Sequence, residues 1–99
     1  MQIIDNIAEY VVKEHKATIY SRKESFVVLK LNRFNMYVYK ESTYLVIELE
    51  YNKRAFMGSL DFQLLTVRYI PFHISIDDIT DLIDEEIDVF NRAVLVKEI

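Results

Sequence analysis

Glu48, Glu50 and Asp61, together with Lys30, come nearest in this chain to a catalytic set. Two or three carboxylates around a hard cation, with a lysine beside the scissile phosphate, would serve metal-dependent cleavage of a nucleic acid. The spacing opposes that reading. If Asn52-Lys53 turns the chain back after Tyr51, Asp61 falls opposite Tyr44, and Glu48 stands four residues along that strand, roughly 13 Å away at about 3.3 Å per residue. Cross-strand ion pairing accounts better for these charges. His15 and His73 are the two histidines, one closing an N-terminal helix and one in a loop after Pro71. No metal-ligand spacing joins them. Ser21, Ser25, Ser42, Ser59 and Ser75 sit in no nucleophile motif, and a single glycine excludes a glycine-rich phosphate loop. With no cysteine there is no thiol nucleophile, thiolate zinc site or disulfide framework. The expectation is a non-enzymatic protein with no cofactor and no metal.

Binding surfaces are better represented. Asp77, Asp78, Asp81, Asp84, Glu85, Glu86 and Asp88 put seven negative charges into twelve residues. On a helix rising about 18 Å over that stretch, this is roughly 60 to 70 per cent of the charge density of duplex DNA, enough to imitate phosphates before a basic groove. The competing reading is the solvated face of an amphipathic helix. A second surface is aromatic and aliphatic: Phe26, Val28, Tyr37, Tyr39, Tyr44 and Val46 share one face of a sheet. An exposed patch of that kind marks an interface, and a homodimer through it is the first expectation, unless the N-terminal helix crosses over and covers it. A third set, Lys30, Arg33, Lys53 and Arg54, clusters around two turns. With the tyrosines as stacking platforms it would bind nucleic acid, although the formal charge of −4 disfavours that partner.

The elements that position these residues can be read from apolar alternation. If Asn32-Arg33 is a two-residue turn, Leu31 faces Phe34, Leu29 faces Met36 and Val27 faces Val38, which gathers six apolar side chains on one face. Continuing through a turn at Glu41-Ser42, Val38 faces Leu45, Met36 faces Ile47 and Phe34 faces Leu49. A one-residue slip would destroy this agreement. The opposite face carries the aromatic patch at one end. At the other, Lys30, Asn35 and Glu48 stand in a row, with Arg33 near Glu50.

Residues 2 to 16 have the spacing of an amphipathic helix through Ile3, Ile4, Ile7, Tyr10 and Val11. Residues 17 to 21 form a short lead-in strand that turns at Arg22-Lys23. After a third turn at Asn52-Lys53, parity brings Phe56, Gly58, Leu60 and Phe62 onto the core face. The run from Arg54 to Ile70 exceeds an ordinary strand, so it should break or bulge at Gly58-Ser59 and end at Pro71. Ser75 and Asp78 make a variant capping box. Behind it Ile76, Ile79, Leu82, Ile83, Ile87, Phe90, Ala93 and Val94 line one face of a last helix, with Arg92 and Lys97 near its end.

The expected fold is therefore one α+β domain over residues 1–99: a helix, an antiparallel meander of three to four strands and a C-terminal helix, αβββ(β)α, both helices on one sheet face. This order of elements resembles that of the double-stranded RNA-binding domain. In that module a basic cluster opens the last helix; here Asp77, Asp78 and Asp81 hold the place, so the resemblance carries over no RNA-binding residues.

Residues 1 to 54 hold nine Lys/Arg against seven Asp/Glu, and residues 55 to 99 hold three against nine, which makes the C-terminal half the acidic one. Phe, Tyr, Met, Ile, Asn and Lys number 40 against 11 for Gly, Ala, Arg and Pro, a bias toward AT-rich codons of the kind found in many phages and archaeal viruses. There is no basic n-region leading into an apolar h-region and no run of membrane-spanning length. The expectation is a cytoplasmic protein, in the host cytoplasm if viral, acting as a protein-interaction module with a protein partner and no membrane. A phage or viral accessory protein that inhibits a host nucleic-acid-handling protein fits this description.

Overall fold

A computed structural model describes residues 2 to 54 and 58 to 98. Helix α1 (Gln2–His15) is followed by strands β1 (Thr18–Lys23), β2 (Phe26–Lys30), β3 (Asn35–Glu41), β4 (Tyr44–Arg54) and β5 (Leu60–Pro71), then helix α2 (Ile76–Glu98). The strands form one antiparallel meander in the order β1-β2-β3-β4-β5. The lead-in strand and the strand after Gly58 are both present, so the sheet has five strands.

The first hairpin is as expected. Val27 pairs with Val38 and Leu29 with Met36, and the Leu31 N–H donates to the Phe34 carbonyl at 2.9 Å. The second turn lies one residue further on, at Ser42-Thr43: Glu41 pairs with Tyr44, Val38 with Ile47 and Met36 with Leu49. Ser42 takes the left-handed conformation, φ 54°, which the tight turn requires. The pairing moves by two residues, so every side chain keeps its expected face. The lead-in strand likewise turns later than Arg22-Lys23, since Lys23 still pairs with Phe26.

The third turn is not at Asn52-Lys53. β4 continues through both residues to Arg54, and Tyr51 pairs with Leu64 instead of Arg54. A long helix explains the long hairpin. At about 1.5 Å per helical residue and about 3.3 Å per strand residue, the 23 residues of α2 span nearly the same length as the 11 of β4 and 12 of β5. Stopping at Tyr51 would leave the last turns of α2 with nothing beneath them. Phe62 does lie on the core face, Leu60 is exposed, and Phe56 lies outside the described residues. Gly58, with φ 83°, precedes the new strand as its expected break, and Pro71 is its last residue.

Both helices pack on the same sheet face. Ile4, Ile7 and Val11 of α1 and Ile79, Ile83, Ile87, Phe90 and Val94 of α2 close over Val27, Leu29, Met36, Val38, Leu45, Ile47 and Leu49. The Ser75 hydroxyl accepts from the Asp78 N–H at 3.3 Å, which forms the serine arm of the box predicted for α2. Among the described residues no helix is long and apolar enough to cross a membrane.

Candidate functional site

With both helices on one side, the other face of the sheet has no covering layer from the described residues. Its centre is Val46, which is fully buried yet outside the main core. The shelter comes from its own neighbours: Val46 pairs with Tyr39 on β3 and Tyr69 on β5. Tyr39 stacks on Phe26 with ring centroids 5.7 Å apart, and Tyr44 meets Tyr69 edge-on at 6.0 Å. Phe26, Val28, Tyr37, Tyr39, Tyr44 and Val46 are thus brought together as the alternation predicts. α1 does not cross over to cover them.

The patch is wider than that set. Leu65, Val67 and Tyr69 project from β5 beside Glu50, Glu48 and Val46, and they are 51%, 42% and 55% exposed. Their signal was in the sequence: alternate residues of the run 61 to 69 fall on this face. A turn at Asn52-Lys53 would instead set Asp61 opposite Tyr44. Tyr44 in fact pairs with Pro71, and Asp61 lies at the far end of β5.

A polar border adjoins the aromatic area. Lys30, Asn35 and Glu50 stand in a row across β2, β3 and β4, with Glu50 in the position expected of Glu48. The Tyr37 hydroxyl donates to Glu50 Oε1 at 3.0 Å and the Gln63 amide to Oε2 at 3.1 Å. Burial and this carboxylate raise the Tyr37 pKa. Burial, then the neighbouring Glu48, pushes Tyr39 up to about 12. A cleft of about 550 Å³ opens here between Tyr20, Ser21, Val28, Lys30, Asn35 and Tyr37.

The acids of α2 divide among three sides. Asp84 turns toward α1, where Oδ2 accepts from the Tyr10 hydroxyl at 2.5 Å and Oδ1 meets His15 Nε2 at 2.7 Å. Glu86 turns the other way and pairs with Arg68 of β5. Asp77, Asp81, Glu85 and Asp88 form an exposed stripe at helical spacing, with Asp78 at its border and Asp88 bonded to Arg92 at 3.1 Å. A row of seven phosphate-like charges is not what the helix presents.

The basic set lies toward one end of the sheet, and part of it is paired. Arg33 lies 3.5 Å from Glu98, and Lys53 Nζ donates to the Lys97 carbonyl, both at the end of α2. Arg54 follows Lys53 at the end of β4 and Lys30 ends β2, and both are exposed. Arg33 pairs with Glu98, while the carboxylate of Glu50 accepts from Tyr37 and Gln63. His15 is committed to Asp84, and His73 is exposed in the loop before α2. Among the described residues no three His, Asp or Glu side chains converge as a metal centre would need. Comparison of the chain with protein-family models, with curated proteins and with solved structures returns no match.

Proposed function

We propose that the chain is a non-catalytic interaction protein that binds a protein partner through the open face of its sheet. The observation that supports this reading is the unlayered face itself: Tyr44, Leu65, Val67 and Tyr69 are each 42% to 55% exposed around a buried Val46, beside hydroxyl and amide groups held by Glu50. Contiguous apolar area with a polar border is the anatomy of a protein interface, and tyrosine supplies contact area with few rotatable bonds. The face carries Glu48, Glu50 and Asp61 against Lys30 and Arg54, so a partner offering apolar side chains ringed by basic ones fits it. An inhibitor that imitates nucleic acid would depend on the acidic helix, and the division of those acids favours the sheet instead.

A photo-crosslinking residue at Val67 should capture a discrete protein in extracts of the source cells. Tyr39→Asp should abolish that capture, whereas Asp77→Lys with Asp81→Lys should leave it intact. Capture that depends on the helix acids and ignores Tyr39 would transfer the function to α2.

A further inference from the structure

The two edges of the sheet are built differently. β1 is six residues long, its register breaks between Ile19 and Ser21, and it ends in Arg22, which lies 3.6 Å from Asp5, and Lys23. Shortness, a bulge and charge are the means by which proteins keep an edge from pairing. β5 has twelve residues and an unbroken register from Phe62 to Pro71. It has no proline before its last residue and carries only Asp61 and Arg68 as charges, the latter held by Glu86. Its outward row of backbone N–H and C=O groups is a template for another strand.

The helix beside it repeats the pattern. On α2, Leu82, Glu86, Val89, Ala93 and Val96 recur at steps of four and three, which places them on one flank. That flank looks toward the edge of β5, because Glu86 reaches Arg68 there while Asp84 on the other flank reaches α1. Val89 is 51% and Val96 68% exposed.

We infer that a second copy of this chain covers both features, about a two-fold axis that passes through Leu65 perpendicular to the sheet. Opposed residues of an antiparallel pair share a face, so such an axis runs through a residue and not between two. Leu65 is the midpoint of Leu60 to Ile70. An axis there sets Leu65 against Leu65, Gln63 against Val67, Asp61 against Tyr69 and Phe62 against Arg68. No like charges oppose each other.

The helix agrees with the strand. Lys97 lies 4.9 Å over the Phe62 ring and Glu86 pairs with Arg68, so the level of Leu65 falls midway between them, near Asn91 and Arg92. The same axis therefore brings Val89 of one copy toward Val96 of the other, across a pair of Ala93 residues. α2 packs on β4 and β5. With strands about 4.8 Å apart, a helix above the middle of that pair lies about 4.8 Å from the axis. The helix axes of the two copies are then about 10 Å apart, within the spacing of packed helices. The product is a ten-stranded sheet whose two open faces lie side by side. This inference does not depend on what those faces bind.

The chain has no cysteine, so single cysteines can report the axis. Light scattering should give the parent twice 11.8 kDa. Leu65→Cys should form a disulfide-linked dimer under mild oxidation, because opposed Cα atoms about 4.5 to 5.5 Å apart lie within disulfide reach. Tyr20→Cys, on the blunted edge, should remain a free thiol. Val89→Lys with Val96→Lys, at two exposed positions, should halve the mass with unchanged circular dichroism. A parent of 11.8 kDa overturns the proposal, as does a dimer that survives the two lysines or one whose Leu65→Cys thiols do not link.

Discussion

Tyr10, Asp84 and His15 join the two helices through a single carboxylate. The hydrogen bond to Asp84, with a smaller contribution from burial, pushes the Tyr10 pKa up to about 12, as burial and Glu48 do for Tyr39. Ionising either phenol would place a second negative charge beside an existing one. In the unfolded chain both phenols ionise near 10. The folded state therefore holds protons that the unfolded state releases, and the stability they contribute is intact below pH 10 and lost as pH rises toward 12. An ultraviolet phenolate titration should show Tyr10, Tyr37, Tyr39 and Tyr51 ionising later than the other tyrosines, with alkaline unfolding in the same interval. Ionisation of all tyrosines near 10 with the fold intact would contradict this. At the core, Phe90 is 2% exposed and meets Phe34 edge-on, with centroids 4.8 Å apart. Phe90→Ala should cost about 3 to 5 kcal/mol, read by denaturant unfolding. That is a large share of the roughly 5 to 15 kcal/mol available to a domain of this kind.

At the scale of elements, the connections decide more than the strands and helices do. Lys16 ends α1 with φ 56°, a conformation that a side chain resists and glycine does not. Lys16→Gly should therefore raise stability by about 1 kcal/mol, a rise of about 4 to 8 °C in Tm by calorimetry for a domain of this size. Loss of Ser75, which caps α2, should cost about 1 kcal/mol in Ser75→Ala. The same contrast between elements and connections explains what the sequence disclosed. The strands of the meander and both helices were legible because burying one face imposes a period of two or of about 3.6. The turn at Asn32-Arg33 was fixed because Leu31 and Phe34 are both buried. The turn after β3 was not, since moving the register by two leaves the apolar parity unchanged, and only the conformation of Ser42 separates the two pairings. Asn52-Lys53 has the composition of a turn, but Tyr51 is 7% exposed and Lys53 bonds the Lys97 carbonyl, so the strand continues beneath α2. Contacts that span the chain, such as Glu86 with Arg68, had no local signal. They decide which acids remain available to a partner.

For the molecule as a whole, charge and layering argue in the same direction. The sequence carries a formal net charge of −4, and of Lys30, Arg33, Lys53 and Arg54 two are engaged by the last turn of α2, Arg33 with Glu98 and Lys53 with the Lys97 carbonyl. Most nucleic-acid affinity comes from phosphate neutralisation. Fluorescence anisotropy should therefore detect no binding of single- or double-stranded RNA or DNA even at low salt. Affinity that falls steeply with added salt and is lost in Lys30→Ala would reverse that conclusion. The irregularity in β1 between Ile19 and Ser21 bears on a different property. A sheet with two receptive edges can go on adding copies and grow into a filament. Here Tyr20 interrupts the ladder of β1, so if a second copy pairs with β5 as inferred above, growth by strand addition would stop after that single step. In that assembly the irregularity in β1 would keep a protein that is more than half hydrophobic from becoming a fibre.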